Sequence, residues 1–165
     1  MIWLIIALLI TVADQVTKYI VATGMTVGET AASLVLFDIT YVRNEGAAFS
    51  MLSGRMSLLS IISVAFCIAV IIWWLKKKPT HPMLCTSATL LFAGALGNAI
   101  DRIARGYVVD FIRTTFIDFP IFNVADIAIT VGAMLLILYE IAFNKEDKHE
   151  DNNSEADGGT HRRTP

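Results

Sequence analysis

Four long apolar runs most constrain what this chain can fold into. A bilayer core of about 30 Å is crossed by roughly 20 helical residues. Segments near this length occupy residues 2–22, 57–75, 83–100 and 121–143. Only 17% of the residues are charged, against about 25% in an ordinary soluble domain, and the mean hydropathy is +0.61. The sequence therefore predicts an all-α membrane protein with four transmembrane helices.

The charges divide the chain into two parts. Residues 1–144 carry nine basic and nine acidic side chains, whereas residues 145–165 carry four and six. We therefore predict one membrane domain over 1–144 and a polar, disordered tail over 145–165. Removal of the tail after Lys148 is expected to be tolerated. The membrane domain is electrically neutral, which excludes a nucleic-acid binder, since such a protein needs a basic face.

Two loops separate the spans on one side of the predicted bundle. Within the first loop, the stretch Ser33–Val42 is rich in β-branched and aromatic residues and predicts β structure. The segment Phe49–Leu52 follows and is expected to rest on the membrane surface as a short helix. The second loop, 102–120, joins the third and fourth spans. The predicted fold is therefore four helices with a small β-rich cradle and a short surface helix.

The orientation of the bundle is less well determined by the charges. An even number of spans places both termini on the same side, together with the loop 76–82. Lysine and arginine residues near the spans number five on each side, so their count does not decide the orientation. The triplet Lys76–Lys78 directly after a span favours a cytoplasmic position for both termini. We interpret the first span as retained, because it lacks a basic leading region and its apolar pattern resumes at Tyr19.

The cysteines and histidines indicate neither a metal site nor a nucleophile. Cys67 and Cys85 lie in apolar runs, as packing residues do, and two cysteines cannot supply a four-ligand metal site. The histidines fall in a short polar loop and in the tail, at His81, His149 and His161. A zinc protease with an HExxH helix and an intramembrane serine–histidine protease both lose support. We predict no metal and no cofactor.

Three aspartates converge on one end of the bundle. Ionisable groups are costly in a membrane, so their positions point to function. Asp14 and Asp126 lie about 12 Å and about 8 Å deep at 1.5 Å rise per residue, both from the same side. Asp110 lies in an apolar stretch of the second loop. Asp14 and Lys18 are four residues apart, so they share a helix face and are expected to pair.

Asp110 and Asp126 could act together on a peptide bond. Two close carboxyl groups share one proton, because both cannot easily ionise. The ionised carboxylate would take a proton from water, and the protonated one would donate to the substrate carbonyl oxygen. A structural pair or a proton relay fits the spacing equally well. A small transporter, or a lipid-binding assembly factor without chemistry, is therefore an alternative.

Five motifs occur in order along the chain and narrow this choice. They are Asp14-Gln-Val-Thr-Lys18, Arg43-Asn-Glu-Gly-Ala-Ala-Phe49, Gly97-Asn-Ala-Ile-Asp-Arg102, Val108-Val-Asp-Phe-Ile112 and Phe119-Pro-Ile-Phe-Asn-Val-Ala-Asp126. Together they closely resemble the bacterial lipoprotein signal peptidases, the signal peptidase II family. The resemblance runs from about Asp14 to Asp126 and touches all four spans.

The resemblance implies an activity and a location. Members are four-helix intramembrane aspartic endopeptidases of the bacterial cell membrane, with both termini in the cytoplasm and the active site near the extracytoplasmic face. They remove the signal peptide of a prolipoprotein by cutting just before a cysteine that carries a diacylglyceryl group. The catalytic pair falls on Asp110 and Asp126. The implied partners are diacylglyceryl-prolipoproteins, membrane lipids and inhibitors of the globomycin type, and nothing demands more than a monomer.

The resemblance also assigns roles around this pair. Polar positions that line the family's site, and hold substrate or globomycin, match Asn44, Asn98, Arg102 and Asn123. From charge alone, Arg102 is either an interfacial anchor or a group that binds a lipid head or a substrate carbonyl. Positions important to the fold or to site geometry match Asp14 and Lys18. The stretch 33–42 corresponds to the family's cradle, and 49–52 to its mobile surface helix.

Overall fold

The structure, a computed structural model, describes residues 1–46 and 56–143. Within these residues, four helices are long and apolar enough to cross a membrane. Their bounds are α1 Ile2–Gly24, α2 Met56–Lys77, α3 Pro82–Arg105 and α4 Val124–Ala142. The four predicted spans are confirmed. The third begins a residue earlier and runs five residues further than the sequence suggested, as far as Arg105.

Burial in this bundle is inverted relative to a soluble protein. Large apolar side chains point outward, such as Leu4 at 74% and Ile137 at 59% exposure. The buried residues of α3 are instead small or polar, including Gly94 and Asn98. Lipid is as apolar as leucine, so helices associate through close packing and polar contacts rather than by hiding large side chains. The α3 helix packs against each of the other three helices and forms the centre.

Glycines on facing helices let α3 and α4 approach closely. A Cβ atom added to Gly94 would lie 2.4 Å from the backbone oxygen of Ala125. Further along, the hydroxyl of Ser87 donates to the backbone oxygen of Gly132 at 2.8 Å. The contact between these helices is therefore nearly backbone to backbone, and it fixes where α4 starts relative to α3.

A three-stranded antiparallel sheet covers one end of the bundle. Its strands are β1 Thr30–Ser33, β2 Phe37–Asn44 and β3 Val108–Thr114, in the order β1-β2-β3. The β structure expected within 33–42 is present, as the end of β1, a turn and most of β2. The third strand was not expected, since this segment had been interpreted as a loop. It pairs with β2, with Val42 opposite Asp110.

Two helix ends set the site. Gly106 ends α3 in the left-handed region, at φ 76°, and directs the chain into β3. Asn123 caps α4 by accepting the backbone N–H of Asp126 at 3.0 Å. Sheet and helix ends thereby meet at one end of the molecule. The expected surface helix at 49–52 and the tail 145–165 lie outside the described residues.

Candidate active site

The structure places Asp110 and Asp126 on different elements at the sheet end of the bundle. Asp110 lies in the middle of β3 and is 2% exposed. Asp126 lies in the first turn of α4 and is half-buried. Strand pairing with β2 positions the first carboxyl group, and the capped helix start positions the second. The expected convergence of these two residues is therefore present.

Two asparagines connect the two carboxyl groups. The side-chain amide of Asn123 donates to Oδ1 of Asp110 at 2.6 Å, and the backbone N–H of Asn123 donates to Oδ2 of Asp126 at 3.2 Å. The side-chain amide of Asn98, on α3, donates to Oδ1 of Asp126 at 2.8 Å. Asn123 also donates to the Asn98 oxygen at 3.3 Å. Neutral donors, rather than cations, therefore hold both carboxyl groups.

Asn44 completes the surroundings of Asp110 from the end of β2. Its amide nitrogen donates to Oδ2 of Asp110 at 2.9 Å. Its oxygen accepts the backbone N–H of Gly46 at 2.9 Å, which fixes the orientation of the amide. Both oxygens of Asp110 thus accept a hydrogen bond from an asparagine of defined orientation.

The electrostatic environment of Asp110 favours its neutral form. Burial raises the pKa of this carboxyl group to about 7, with the nearby charge of Asp126 adding to the effect. Hydrogen bonds from Asn44 and Asn123 and the charge of Lys18 act in the opposite direction. Asp126 lies at a helix N-terminus, where backbone dipoles stabilise negative charge. Such contrasting environments are typical of a pair with separate acid and base roles.

Arg102 lies near the pair without a salt bridge to it. Its Nη1 donates to the hydroxyl of Ser63, on α2, at 3.1 Å. The negative charges of Asp126 and Asp110 act on its guanidinium. The sequence left open whether Arg102 anchors the chain at the interface or binds a ligand, and its place in the cavity wall favours the second.

A cavity of about 710 Å³ opens from the aspartates into the bundle. Its polar end is lined by Asp110, Asp126, Asn44, Asn98 and Arg102, while Asn123 lies buried behind the two aspartates. Its remaining walls are apolar and come from α2, α3 and α4, with Phe66, Leu91 and Met134 among them. A second cavity lies against the sheet and the loop that follows β3, and the two share Asn44 and Asp110. Asp110 therefore stands where a membrane-side space meets a sheet-side space.

Asp14 and Lys18 form the expected ion pair, with Nζ 2.9 Å from Oδ2 of Asp14. A second aspartate, Asp101 of α3, lies 3.1 Å from the same Nζ. We call Lys18, Asp14 and Asp101 the ion cluster. All three residues are fully buried. Asp14 contacts the N-terminal end of α4, where its Oδ1 accepts the backbone N–H of Ala125 at 2.9 Å.

Sequence reasoning missed two residues of this region. Asp101 was overlooked although it follows Asn98 by three residues, which puts both on one face of α3. Ser63 gives no signal, since a lone serine in an apolar run normally bonds its own helix backbone. The structure brings every predicted site residue to the sheet end, in two connected groups: Asp110, Asp126, Asn44, Asn98, Asn123 and Arg102 around the cavity, and Asp14 and Lys18 behind it.

Fold and site together define a class: a multi-pass membrane protein with two aspartates, one buried and one half-buried, linked by amides at the mouth of an intramembrane cavity. Among the described residues, no group of three or more histidine, cysteine or acidic side chains is placed to hold a metal ion. The family model described as Signal peptidase (SPase) II matches residues 6–142. The chain belongs to the signal peptidase II family.

Individual relatives agree with this assignment. The chain is 45% identical over 150 residues to a lipoprotein signal peptidase of Staphylococcus aureus, covering 88% of this chain and 92% of that protein. The enzyme from S. aureus strain Newman is 44% identical over the same coverage. A bacterial membrane enzyme solved in meso at 2.3 Å is similar, with TM-score 0.80, 36% identity, and 99% and 94% coverage of this chain and that one. A second, at 1.9 Å, has TM-score 0.78, 42% identity, and 86% and 93% coverage.

Membership makes this chain a peptidase and a multi-pass protein of a bacterial cell membrane. The family consists of peptidases that remove signal peptides from prolipoproteins.

Proposed function

We propose that this chain is an intramembrane aspartic endopeptidase. It cleaves diacylglyceryl-modified prolipoproteins just before the lipid-modified cysteine, with Asp110 and Asp126 as the catalytic pair. The observation that carries the proposal is the amide bridge. Asn123 contacts both carboxyl groups, at 2.6 Å and 3.2 Å, and one of these groups, Asp110, lines both cavities. Carboxyl groups held by neutral donors are suited to exchange protons, and within the described residues neither carboxyl group forms a salt bridge with a cation.

The chemistry follows from the contrast between the two carboxyl groups. The ionised Asp126 takes a proton from a water molecule as the water oxygen attacks the scissile carbonyl carbon. Asp110 donates its proton to the carbonyl oxygen, which gives a tetrahedral diol. The C–N bond then breaks, Asp126 returns its proton to the departing nitrogen, and one diol hydroxyl returns a proton to Asp110. The pair ends with the single proton with which it began.

The cavities fit a substrate that enters from the bilayer. The membrane-side cavity has apolar walls and suits an apolar signal-peptide segment and lipid chains, whose burial is favourable there. The sheet-side cavity suits the polar chain beyond the cleavage site. A bond between these two parts of a substrate would lie beside Asp110, which lines both cavities.

The remaining expectations belong to the same proposal. Both termini lie in the cytoplasm, and the sheet and the active site lie at the extracytoplasmic face. Globomycin-type inhibitors compete for the cavity, membrane lipids surround the bundle, and the working unit is a monomer. The lysines that end α2, at Lys76 and Lys77, lie at the end of the bundle opposite the sheet, as a cytoplasmic position requires.

The test is cleavage of a diacylglyceryl-modified prolipoprotein by the purified full chain in detergent, with and without a chelator. We expect Asp110→Asn and Asp126→Asn each to reduce turnover by at least about a hundredfold, the lower range for a general acid or base. The chelator is expected to have no effect. Each variant is compared with wild type by thermal unfolding in the same detergent.

A matched control is Asp38→Asn. Asp38 is also a buried aspartate of the sheet, but it pairs with Arg113, whose Nε lies 3.1 Å away. The control variant should keep its turnover. The aspartic mechanism is wrong if folded Asp110→Asn or Asp126→Asn cleaves at the wild-type rate, or if the chelator stops wild type.

A further inference from the structure

The ion cluster is unusual because it buries three charges at once. Moving a charge out of water is unfavourable unless partners and hydrogen bonds compensate for it. Lys18 has three N–H donors, and each has an acceptor: Asp14 at 2.9 Å, Asp101 at 3.1 Å and the oxygen of Asn98 at 2.9 Å. The second negative charge is balanced by Arg105, whose Nε lies 3.4 Å from Oδ1 of Asp101.

Each partner of Lys18 makes a second contact beside one of the catalytic aspartates. Asn98 donates directly to Asp126. Asp14 accepts the backbone N–H of Ala125, the residue before Asp126. Asp101 makes the equivalent contact beside the other aspartate of the pair, Asp110.

The contact of Asp101 is with β3. Its Oδ2 accepts the backbone N–H of Val109, the residue before Asp110, at 3.1 Å. Val109 is itself fully buried, so no water replaces this bond. The Lys18 ammonium group is therefore linked to α4 through Asn98 and Asp14, and to β3 through Asp101.

We propose that Asp101 is a positioning residue of the catalytic pair. Its carboxylate holds β3 at the depth at which Asp110 faces Asp126, and its charge offsets Lys18, so that Asp110 can keep its proton. The inference rests on the proposed aspartic mechanism and adds to it a residue that touches neither substrate nor reacting atoms.

The charge part of the proposal has a defined sign. Among the described residues, the charges that interact with Asp110 are those of Lys18 from α1, Arg102 from α3 and Asp126 from α4, while β2 contributes the neutral Asn44. Asp101 of α3 lies next to them, on the Lys18 ammonium and on the backbone N–H of Val109. The positive charge of Lys18 lowers the pKa of Asp110. Neutralising Asp101 removes a negative charge and leaves Lys18 less compensated, so both effects lower the pKa of Asp110 further. The alkaline limb of the pH–rate profile should therefore move to lower pH.

The test compares Asp101→Asn with wild type as purified full chains in detergent, using a synthetic diacylglyceryl prolipopeptide. Both kcat and KM are measured across the pH range, and thermal unfolding is recorded beside them. We expect kcat to fall by about tenfold, within the range that displaced catalytic groups produce. KM should stay near the wild-type value, and the alkaline limb should move to lower pH. Asp101→Glu keeps the charge, so the alkaline limb of its pH–rate profile should lie where it does in wild type, although turnover stays reduced.

Two further variants keep the proposal falsifiable. Asp38→Asn controls for the loss of a buried carboxylate elsewhere in the sheet, and it should leave the limb in place. Arg105→Gln removes a partly exposed cation without touching Lys18 or Val109, so it serves if Asp101→Asn does not fold. Loss of this positive charge should move the limb to higher pH.

The proposal fails if folded Asp101→Asn keeps the wild-type kcat and pH profile, or if Asp38→Asn moves the limb equally. If Asp101→Asn does not fold, an unmoved limb in Arg105→Gln overturns the charge part. Failure of the aspartic mechanism would look different, because Asp110→Asn would then remain active whatever Asp101 does.

Discussion

Two groups of buried carboxylates lie at the same end of this molecule and have opposite character. In the ion cluster, Asp14 and Asp101 share one lysine, whose Nζ lies 2.9 Å and 3.1 Å from their carboxylate oxygens. In the proposed catalytic pair, Asp110 and Asp126 accept hydrogen bonds from asparagine side chains and backbone, and they face a cavity. Under the proposed mechanism, the same carboxyl chemistry stabilises the structure where a cation neutralises it, and transfers protons where only amides hold it.

Asn98 shows how closely the two groups are coupled. Its oxygen accepts from Lys18 at 2.9 Å, and its nitrogen donates to Asp126 at 2.8 Å. The ion cluster therefore determines which way this amide points. A flipped amide would present its oxygen to a carboxylate and its nitrogen to an ammonium, which is unfavourable at both ends.

The largest contrast is expected between Lys18→Met and Asp110→Asn. Removing the lysine leaves two buried carboxylates without their shared cation and should cost about 3–5 kcal/mol of stability. Asp110→Asn replaces a carboxyl group that is already close to neutral, so stability should change by about 1 kcal/mol or less, roughly one hydrogen bond. Thermal unfolding in detergent measures both. Equal losses of stability would show that the distinction between the two groups is wrong.

Gly97→Ala perturbs the ion cluster without changing any charge. The added Cβ would lie 2.5 Å from Oδ2 of Asp14, so the carboxylate must move away from Lys18. We expect a loss of about 1–3 kcal/mol, as for other overpacked sites. Gly24→Ala is the matched control, since no atom lies within 4 Å of the position of its new Cβ. If Gly97→Ala and Gly24→Ala unfold at the same temperature, the packing around Asp14 is looser than described.

Asn123→Ala tests the proposed catalytic pair at the residue that contacts both of its carboxyl groups. The substitution removes the cap of α4 and the bond to Asp110. Loss of the cap should cost about 0.5–2 kcal/mol, while turnover should fall by more than the loss of folded protein explains. Asn123→Ser restores a capping oxygen but not the 2.6 Å bond. Recovery of stability without recovery of turnover would separate the two functions of Asn123, whereas recovery of both would contradict the role in the amide bridge.

A further contrast concerns the pH dependence of activity and of stability. The pKa of Asp110 is raised to about 7 by burial and by the charge of Asp126. Since the pair needs one proton, kcat/KM should fall as pH rises through about 7. The folded state also holds this proton more tightly than the unfolded chain. The stabilising contribution is therefore complete below about pH 4 and is lost as pH rises to about 7.

Equilibrium unfolding at several pH values, in wild type and in Asp110→Asn, measures the effect of this proton on folding stability. The variant should lose less stability than wild type between about pH 4 and about pH 7, which are roughly the pKa values of the Asp110 carboxyl group in the unfolded and the folded state. Identical pH dependence in the two proteins would mean that the carboxyl group of Asp110 is not perturbed.

Local rules were enough for several of these features. The four spans follow from hydropathy, because a bilayer admits only segments that bury their own backbone hydrogen bonds over the full thickness. The pair of Asp14 and Lys18 follows from helix periodicity, because residues four apart share a face. The motifs around Asp110 and Asp126 indicated the family that the comparisons then showed.

Other features depended on the tertiary structure. Strand β3 was missed because it acquires its hydrogen bonds from β2, more than 60 residues earlier in the chain. Asp101 appeared to be one of several charges at the end of a span until folding brought it to both Lys18 and Val109. Sequence alone thus determined which residues are charged and how deep they lie. Which carboxylates receive a cation and which receive only amides was decided by contacts between distant segments, and these form only when the helices and the sheet pack together.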